Sequence, residues 1–210
     1  MNDLPTIEKP GLAVDIDETL SWTLGNWIAA MQKKFGNPEN LTVKEIIEKY
    51  RYTKNIPYWQ SQEVLEFKKR LIYSNELQKE LPLIEGAHEY LNKIHQIIPV
   101  AAYLTIRPQN VIEGTQNWLD KHGFPKAPII CRPDSTKHED GNIWKGNLLS
   151  QMYPNLLGVI DDNVELLKHL DSYYQGIVFL YDHTTVDSQL HVIACLKWPQ
   201  VFEEVKKYFI

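Results

Sequence analysis

Leu12-Ala13-Val14-Asp15-Ile16-Asp17-Glu18-Thr19 is the stretch on which the fold turns. Three apolar residues run straight into two carboxylates set two apart, with a hydroxyl just behind them. Short continuous apolar runs of this kind are strands buried on both faces, as in parallel sheets. Open parallel sheets bind ligands at the carboxyl ends of their strands, where Asp15 and Asp17 would stand. A solvated strand end with turn-forming acids reads the same in isolation, so the stretch gains meaning only from the rest of the chain.

Further strand signals lie at 100–104, 129–131, 157–160 and 177–180, and they alternate with segments of helical period. One segment carries Ala87, Tyr90, Leu91, Ile94 and Ile98 on one face. Another carries Val111, Ile112, Thr115, Trp118 and Leu119 and stops at Gly123. A third has Trp144, Leu148 and Met152, a fourth Val164, Leu167 and Leu170, and the last Val201, Val205, Tyr208 and Phe209. This alternation is the pattern of an α/β fold: a Rossmann-like parallel sheet flanked by helices. One interval breaks it. The second strand starts near Val100, whereas a strand-helix-strand unit needs roughly 30 residues. The surplus reads as all helix: Trp27, Met31 and Phe35 recur at helical spacing, Thr42-Val43-Lys44-Glu45 is a capping box, and Val64, Leu65, Lys68, Leu71 and Ile72 share a side. The chain thus divides into a core of 1–19 and 85–210 and a small helical cap, 20–84, inserted after the first strand.

The other strands also end in polar residues. Val100-Ala101-Ala102-Tyr103-Leu104 leads to Thr105, then Arg107-Pro108; Leu157-Gly158-Val159-Ile160 leads to Asp161-Asp162; Lys145 lies on the helix before that strand. Lys137 and Lys126 are its rivals, but neither leads directly into the acid pair. Asp15, Asp17, Asp161 and Asp162 gathered at one sheet edge would repel one another unless a cation sat among them. All-oxygen ligands with open positions suit Mg²⁺. A carboxylate nucleophile, a second carboxylate, Mg²⁺ and Thr plus Lys as anion donors make a phosphoryl-transfer site.

Composition narrows the classes further. The 210 residues are 43% hydrophobic and 23% charged, with 22 Lys+Arg against 27 Asp+Glu for a net charge of −5, which disfavours a broad nucleic-acid surface. The longest apolar run, 97–104, is interrupted by Pro99 and is too short for a membrane helix. Met1-Asn2-Asp3-Leu4-Pro5 has no secretory pattern, and the two cysteines, Cys131 and Cys195, form no disulfide framework. A cytoplasmic protein is expected, with its oligomeric state left open. Phosphate-loop, dinucleotide, serine-hydrolase and zinc-protease signatures are missing from the sequence.

In their order and strand-end contexts, Asp15-Ile16-Asp17-Glu18-Thr19, Thr105, Lys145 and Asp161-Asp162 resemble the four short motifs of the haloacid dehalogenase-like (HAD) superfamily of phosphatases. The resemblance implies that Asp15 is the nucleophile and forms an aspartyl phosphate. Asp17 then protonates the leaving oxygen and deprotonates the hydrolytic water. The metal would be held by Asp15, the Asp17 carbonyl and Asp161 or Asp162, while Thr105 and Lys145 neutralise phosphoryl oxygens. It also makes 20–84 a lid. Glu18 departs from the Gly of many relatives, which puts the turn after the first motif in question. Receiver domains use similar residues in the reverse order. Two subfamilies are echoed: the 5'(3')-deoxyribonucleotidases, and the phosphatase domain of phage polynucleotide kinase through Thr105-Ile106-Arg107-Pro108 and Cys131-Arg132-Pro133-Asp134. A 3'-phosphatase on nucleic acid ends and a catalytically silent binder of the same fold are therefore the alternatives to a small-molecule phosphatase.

Substrate selection falls to the cap. It holds Trp22, Trp27, Tyr50, Tyr52, Tyr58 and Trp59. Trp27 and Tyr50 sit on apolar helix faces and read as cap core. Trp22, Tyr52, Tyr58 and Trp59 read as free to line the cleft, with Arg107 and Arg132 as further substrate contacts and Arg51 and Lys54 as added charge. Aromatic faces stack on nucleobases, so the expected substrate is a nucleoside monophosphate or a similarly flat phosphate.

Overall fold

The computed structural model describes residues 6–210; the stretch Met1–Pro5, read above for a secretory pattern, lies outside them. Six parallel strands form one sheet in the order β3-β2-β1-β4-β5-β6. They are β1 (Gly11–Val14), β2 (Val100–Pro108), β3 (Ile129–Arg132), β4 (Leu156–Asp161), β5 (Ile177–Tyr181) and β6 (Val192–Cys195). Chain direction of travel reverses between β1 and β4, which makes the crevice beyond their carboxyl ends the natural ligand site.

The helices are α1 (Thr23–Phe35), α2 (Val43–Tyr50), α3 (Gln62–Tyr73), α4 (Asn75–Gln78), α5 (Ala87–Ile97), α6 (Ile112–Lys121), α7 (Gly141–Met152) and α8 (Trp198–Phe209). Alternate residues of β1 feed opposite cores. Leu12 and Val14 join Leu91 and Ile94 of α5, Trp118 of α6 and Val201 and Val205 of α8. Ala13 joins Leu148 and Leu149 of α7 and Leu166 on the other face. Both faces are covered, which is why the strands are apolar throughout.

Two elements differ from the sequence reading. The segment with Val164, Leu167 and Leu170 is a 3₁₀ helix over Val164–His169 rather than an α-helix. It starts directly under the Asp161 turn, where Asn163 accepts from Glu165 N at 3.1 Å. The edge strand β6 is an addition. Its four residues are mostly half-buried and no helix precedes them, so neither an apolar run nor a crossover announces it.

Helices α1–α4 lie between β1 and α5, and the segment from α1 to α3 builds a core of its own, in which Ile28, Met31, Ile46, Ile56, Trp59 and Leu71 are buried. The α2 capping box forms: Glu45 N donates to Thr42 Oγ1 at 3.3 Å, and Thr42 N to Glu45 Oε2 at 2.7 Å. The segments entering and leaving these helices run side by side, with Trp22 N donating to Pro82 O at 2.9 Å and Ile84 N to Leu20 O at 2.8 Å. A second tie joins α4 to α6. Gly114 N donates to Asn75 Oδ1 at 2.6 Å, and a side chain at Gly114 would collide with the Asn75 backbone. Among the described residues no helix is long and apolar enough to cross a membrane.

Candidate active site

Two of the three strand-end motifs, those of β1 and β4, converge. Asp15, Asp161 and Asp162 each offer a carboxylate oxygen within 4.8 Å of the others. Asp15 continues the line of β1, its N–H donating to Ile160 O of β4 at 2.9 Å. Asp161 closes β4 and turns the chain by accepting from Asn163 N at 2.8 Å.

Lys145 is the lysine that reaches these acids. Its Nζ pairs with Asp15 Oδ1 and lies 2.6 Å from Asp161 Oδ2, with only 3% of the side chain exposed. Gly146 makes this reach available: a Cβ there would stand 2.6 Å from the His169 carbonyl, so only glycine lets α7 press this closely on the 3₁₀ segment.

One ammonium serves more carboxylates than it can neutralise. Burial pushes the Asp15 carboxyl up to about 7; Lys145 pulls it down and Asp161 and Asp17 push it further up. Asp162 is also raised, by burial and then by Asp161, Asp15 and Glu18. Burial would lower the Lys145 ammonium, but Asp15 and Asp161 reverse this and hold it charged. Three crowded, hard oxygen ligands with spare lone pairs fit a divalent cation such as Mg²⁺.

Asp17 is placed differently. Its carboxylate accepts from Arg107 Nε and Nη2 and from Thr23 Oγ1 at 2.6 Å. Burial alone would raise this group; the Arg107 guanidinium wins and lowers it. Glu18 adopts a left-handed backbone (φ 58°), a conformation that favours glycine, and its Oε1 accepts from Leu24 N at 2.6 Å in the first turn of α1. Its carboxyl is pushed up to about 7 by burial.

A cleft of about 760 Å³ opens above these acids. The core side contributes Asp15, Asp17, Lys145, Asp161 and Asp162, together with Ile106, His138 and Asn142. The cap side contributes Leu24, Trp27, Ile47, Arg51, Tyr52 and Ile72. Three substrate contacts expected from the sequence are corrected. Trp59 is fully buried in the cap core, with Nε1 donating to Gly36 O at 3.2 Å. Trp22 is 39% exposed, its indole lies against Gly25, and it is not among the cleft-lining residues. Arg132 is buried and spends its guanidinium on the carbonyls of Ile106 in β2 and of Pro133 and Thr136 in the loop after β3. Arg107 borders the cleft, yet its donors go to Asp17, Ser21 and Thr115. Tyr58 packs edge-on against Tyr50 and Trp59 and also leaves the cleft. Trp27, read as cap core, packs against that core and lines the cleft as well. Thr105 is fully buried at the bulge of β2, its Oγ1 accepting from Arg107 N at 3.2 Å.

Some lining residues were missed. His183, whose Nε2 lies 2.9 Å from Asp162 O, follows the end of β5, and the strand-end rule applied there would have found it. Asn142 sits one turn before Lys145 on α7. Gln78 carries no sequence signal, and Ile72 reads only as part of an apolar helix face.

Acids at the carboxyl ends of β1 and β4, a buried lysine between them and a helical insertion after β1 together define a phosphatase of the HAD superfamily. The model of the "5' nucleotidase, deoxy (Pyrimidine), cytosolic type C protein" family matches residues 9–148, and the chain belongs to that family. Among solved structures it is similar to phosphoserine phosphatase from T. onnurineus, at 12% identity and TM-score 0.49, covering 97% of this chain and 98% of that one. It is also similar to a HAD-superfamily hydrolase from Ehrlichia chaffeensis, at 11% identity and TM-score 0.47, covering 95% and 98%. No curated protein matches the chain.

Proposed function

We propose that the protein is a Mg²⁺-dependent phosphomonoesterase that hydrolyses nucleoside monophosphates through an aspartyl phosphate on Asp15. The observation that carries this reading is the cleft itself, acidic on the core side and apolar and aromatic on the cap side. A phosphoryl group fits the first wall and a flat leaving group the second, with Trp27 and Tyr52 as the stacking surfaces. Mg²⁺ held by Asp15, the Asp17 carbonyl and Asp161 or Asp162 would neutralise the acids and stabilise charge on a phosphoryl oxygen.

Asp15 attacks phosphorus while Asp17 gives a proton to the leaving oxygen; Asp17 then takes a proton from the water that hydrolyses the acyl phosphate. Lys145 and the Thr105 hydroxyl donate to the phosphoryl oxygens. Residues 20–84 act as the lid over the core formed by 1–19 and 85–210. Its helices have their own core, and a short ribbon at 20–22 and 82–84 joins them to the sheet. Cytoplasmic action goes with this reading: the family is the cytosolic type by name, and both thiols are unpaired and buried.

Phosphate release from nucleoside 5'-monophosphates, glycerol phosphate and a 3'-phosphorylated oligonucleotide, with Mg²⁺ and with chelator, tests it. Nucleotides should be turned over fastest, and only with Mg²⁺. Faster turnover of the oligonucleotide would replace the reading with a 3'-end phosphatase; no preference over glycerol phosphate would remove the nucleotide.

A further inference from the structure

Arg107 was expected to meet substrate, but its surroundings give it other work. Its side chain is 5% exposed. Nε stands 3.1 and 3.0 Å from the two Asp17 carboxylate oxygens, and Nη2 stands 2.6 Å from Oδ1. Nη2 also donates to Ser21 Oγ and Nη1 to Thr115 Oγ1, both at 3.1 Å. A guanidinium has five N–H groups in a fixed fork, and these contacts occupy nearly all of it. Binding a substrate anion would mean giving up Asp17.

The partners show what the fork joins. Asp17 belongs to the loop after β1, Thr115 to α6, and Ser21 to the segment entering the cap. Thr23, the first residue of α1, donates to Asp17 Oδ1 at 2.6 Å, and its Oγ1 lies 2.7 Å from Ser21 Oγ. The register of β2 breaks between Thr105 and Pro108, and this bulge turns Arg107 back toward β1. The Asp17 carboxylate is therefore fixed from the sheet side by Arg107 and from the cap side by Thr23.

We infer that Arg107 is a positioning residue: its fork holds the Asp17 carboxylate in one orientation and ties that orientation to the root of α1, without touching substrate. The inference rests on the proposed role of Asp17 as proton carrier. A proton carrier works only within hydrogen-bond reach of the leaving oxygen, and a misplacement of about 1 Å costs roughly 100-fold. Arg107 thereby acts on kcat through another residue, and Thr23 shares the task.

The test is steady-state kinetics of Arg107→Met, Arg107→Lys and Thr23→Val on a nucleoside 5'-monophosphate, whose leaving group is an alkoxide, and on p-nitrophenyl phosphate, which needs little protonation. Arg107→Met should lower kcat on the nucleotide roughly 10- to 100-fold with KM changed less than about threefold, and lower it less on p-nitrophenyl phosphate. Lysine keeps the charge without the fork, so Arg107→Lys should recover part of kcat. Thr23→Val should show the same signature, smaller. Melting curves identify any variant that fails to fold; if Arg107→Met does, Arg107→Lys and Thr23→Val decide the question. A raised KM with kcat intact would overturn the inference and return Arg107 to substrate binding, and an equal loss on both substrates would overturn it too. Asp17→Asn run alongside separates the two levels. If its loss does not depend on the leaving group, the proton-carrier role itself fails; if it does and the Arg107 variants act on KM, only the Arg107 inference fails.

Discussion

The two walls of the cleft are built on opposite principles. On the core wall, charges are buried and braced: Lys145 sits between Asp15 and Asp161, and Arg107 between Asp17 and Thr115. On the cap wall the lining is mainly apolar, from Leu24, Trp27, Ile47 and Ile72, with Arg51 and Tyr52 exposed at its end. In the proposed reading the core wall meets phosphate and metal, whatever the phosphate is attached to. The cap wall, Arg51 apart, offers mainly shape and flatness. Chemistry and selection are therefore separable, and single substitutions should move one without the other.

The largest effect belongs to the core wall. Asp15→Asn should lower kcat by roughly 10³-fold or more, because a carboxamide cannot attack phosphorus, while the melting temperature stays level or rises as one member of a repelling trio is removed. Phosphate release under saturating Mg²⁺ together with thermal melting reads both. Retention of more than about a tenth of kcat would move the nucleophile elsewhere and dissolve the contrast between walls. Asp17→Asn should come next, with a loss of roughly 10²- to 10⁴-fold on a nucleotide and a distinctly smaller one on p-nitrophenyl phosphate.

The same contrast decides what could be read in advance. A parallel sheet buried on both faces advertises its strands as apolar runs, and its ligand site lies where those runs end; Asp15, Asp161 and Lys145 could be placed by that logic without coordinates. Arg107 could not. Its residue type was noticed, but the bulge between Thr105 and Pro108 turns it toward Asp17, and a bulge leaves no mark in hydrophobic pattern. The cap was legible as helices and opaque as a surface. Trp59 lies in an irregular stretch and is buried in the cap core, whereas Trp27, at proper helical spacing with Met31, packs on that core and also reaches the cleft. A helix that packs on one side and lines a cleft on the other has two apolar faces, and periodicity does not tell them apart.

That ambiguity gives a paired test of the cap wall. Trp27→Ala and Tyr52→Ala should each raise KM for nucleotides roughly 5- to 150-fold, the range of about 1–3 kcal/mol for one stacked base, and leave kcat on p-nitrophenyl phosphate nearly unchanged. Trp59→Ala should do the reverse: a loss of about 3–5 kcal/mol in cap stability from the cavity it leaves. A KM effect from Trp59 that exceeds those from Trp27 and Tyr52, in a variant that melts normally, would mean that the selecting surface is misassigned.

The smallest effect asks whether the two regions are separate energetically as well as chemically. Thr42 caps α2, and its side chain and the Glu45 carboxylate satisfy each other's backbone N–H groups at the surface, far in sequence from any catalytic side chain. Thr42→Ala should cost about 1 kcal/mol of local helix stability. Proteins open in cooperative units that often match such substructures, and the cap has its own core and is joined to the sheet by a narrow ribbon and the α4–α6 tie. Hydrogen exchange should therefore speed up roughly fivefold over α1–α3, with β1 and β4 unaffected. Acceleration spread evenly through the sheet would mean that cap and core unfold as one unit, and the two walls would then differ in chemistry alone.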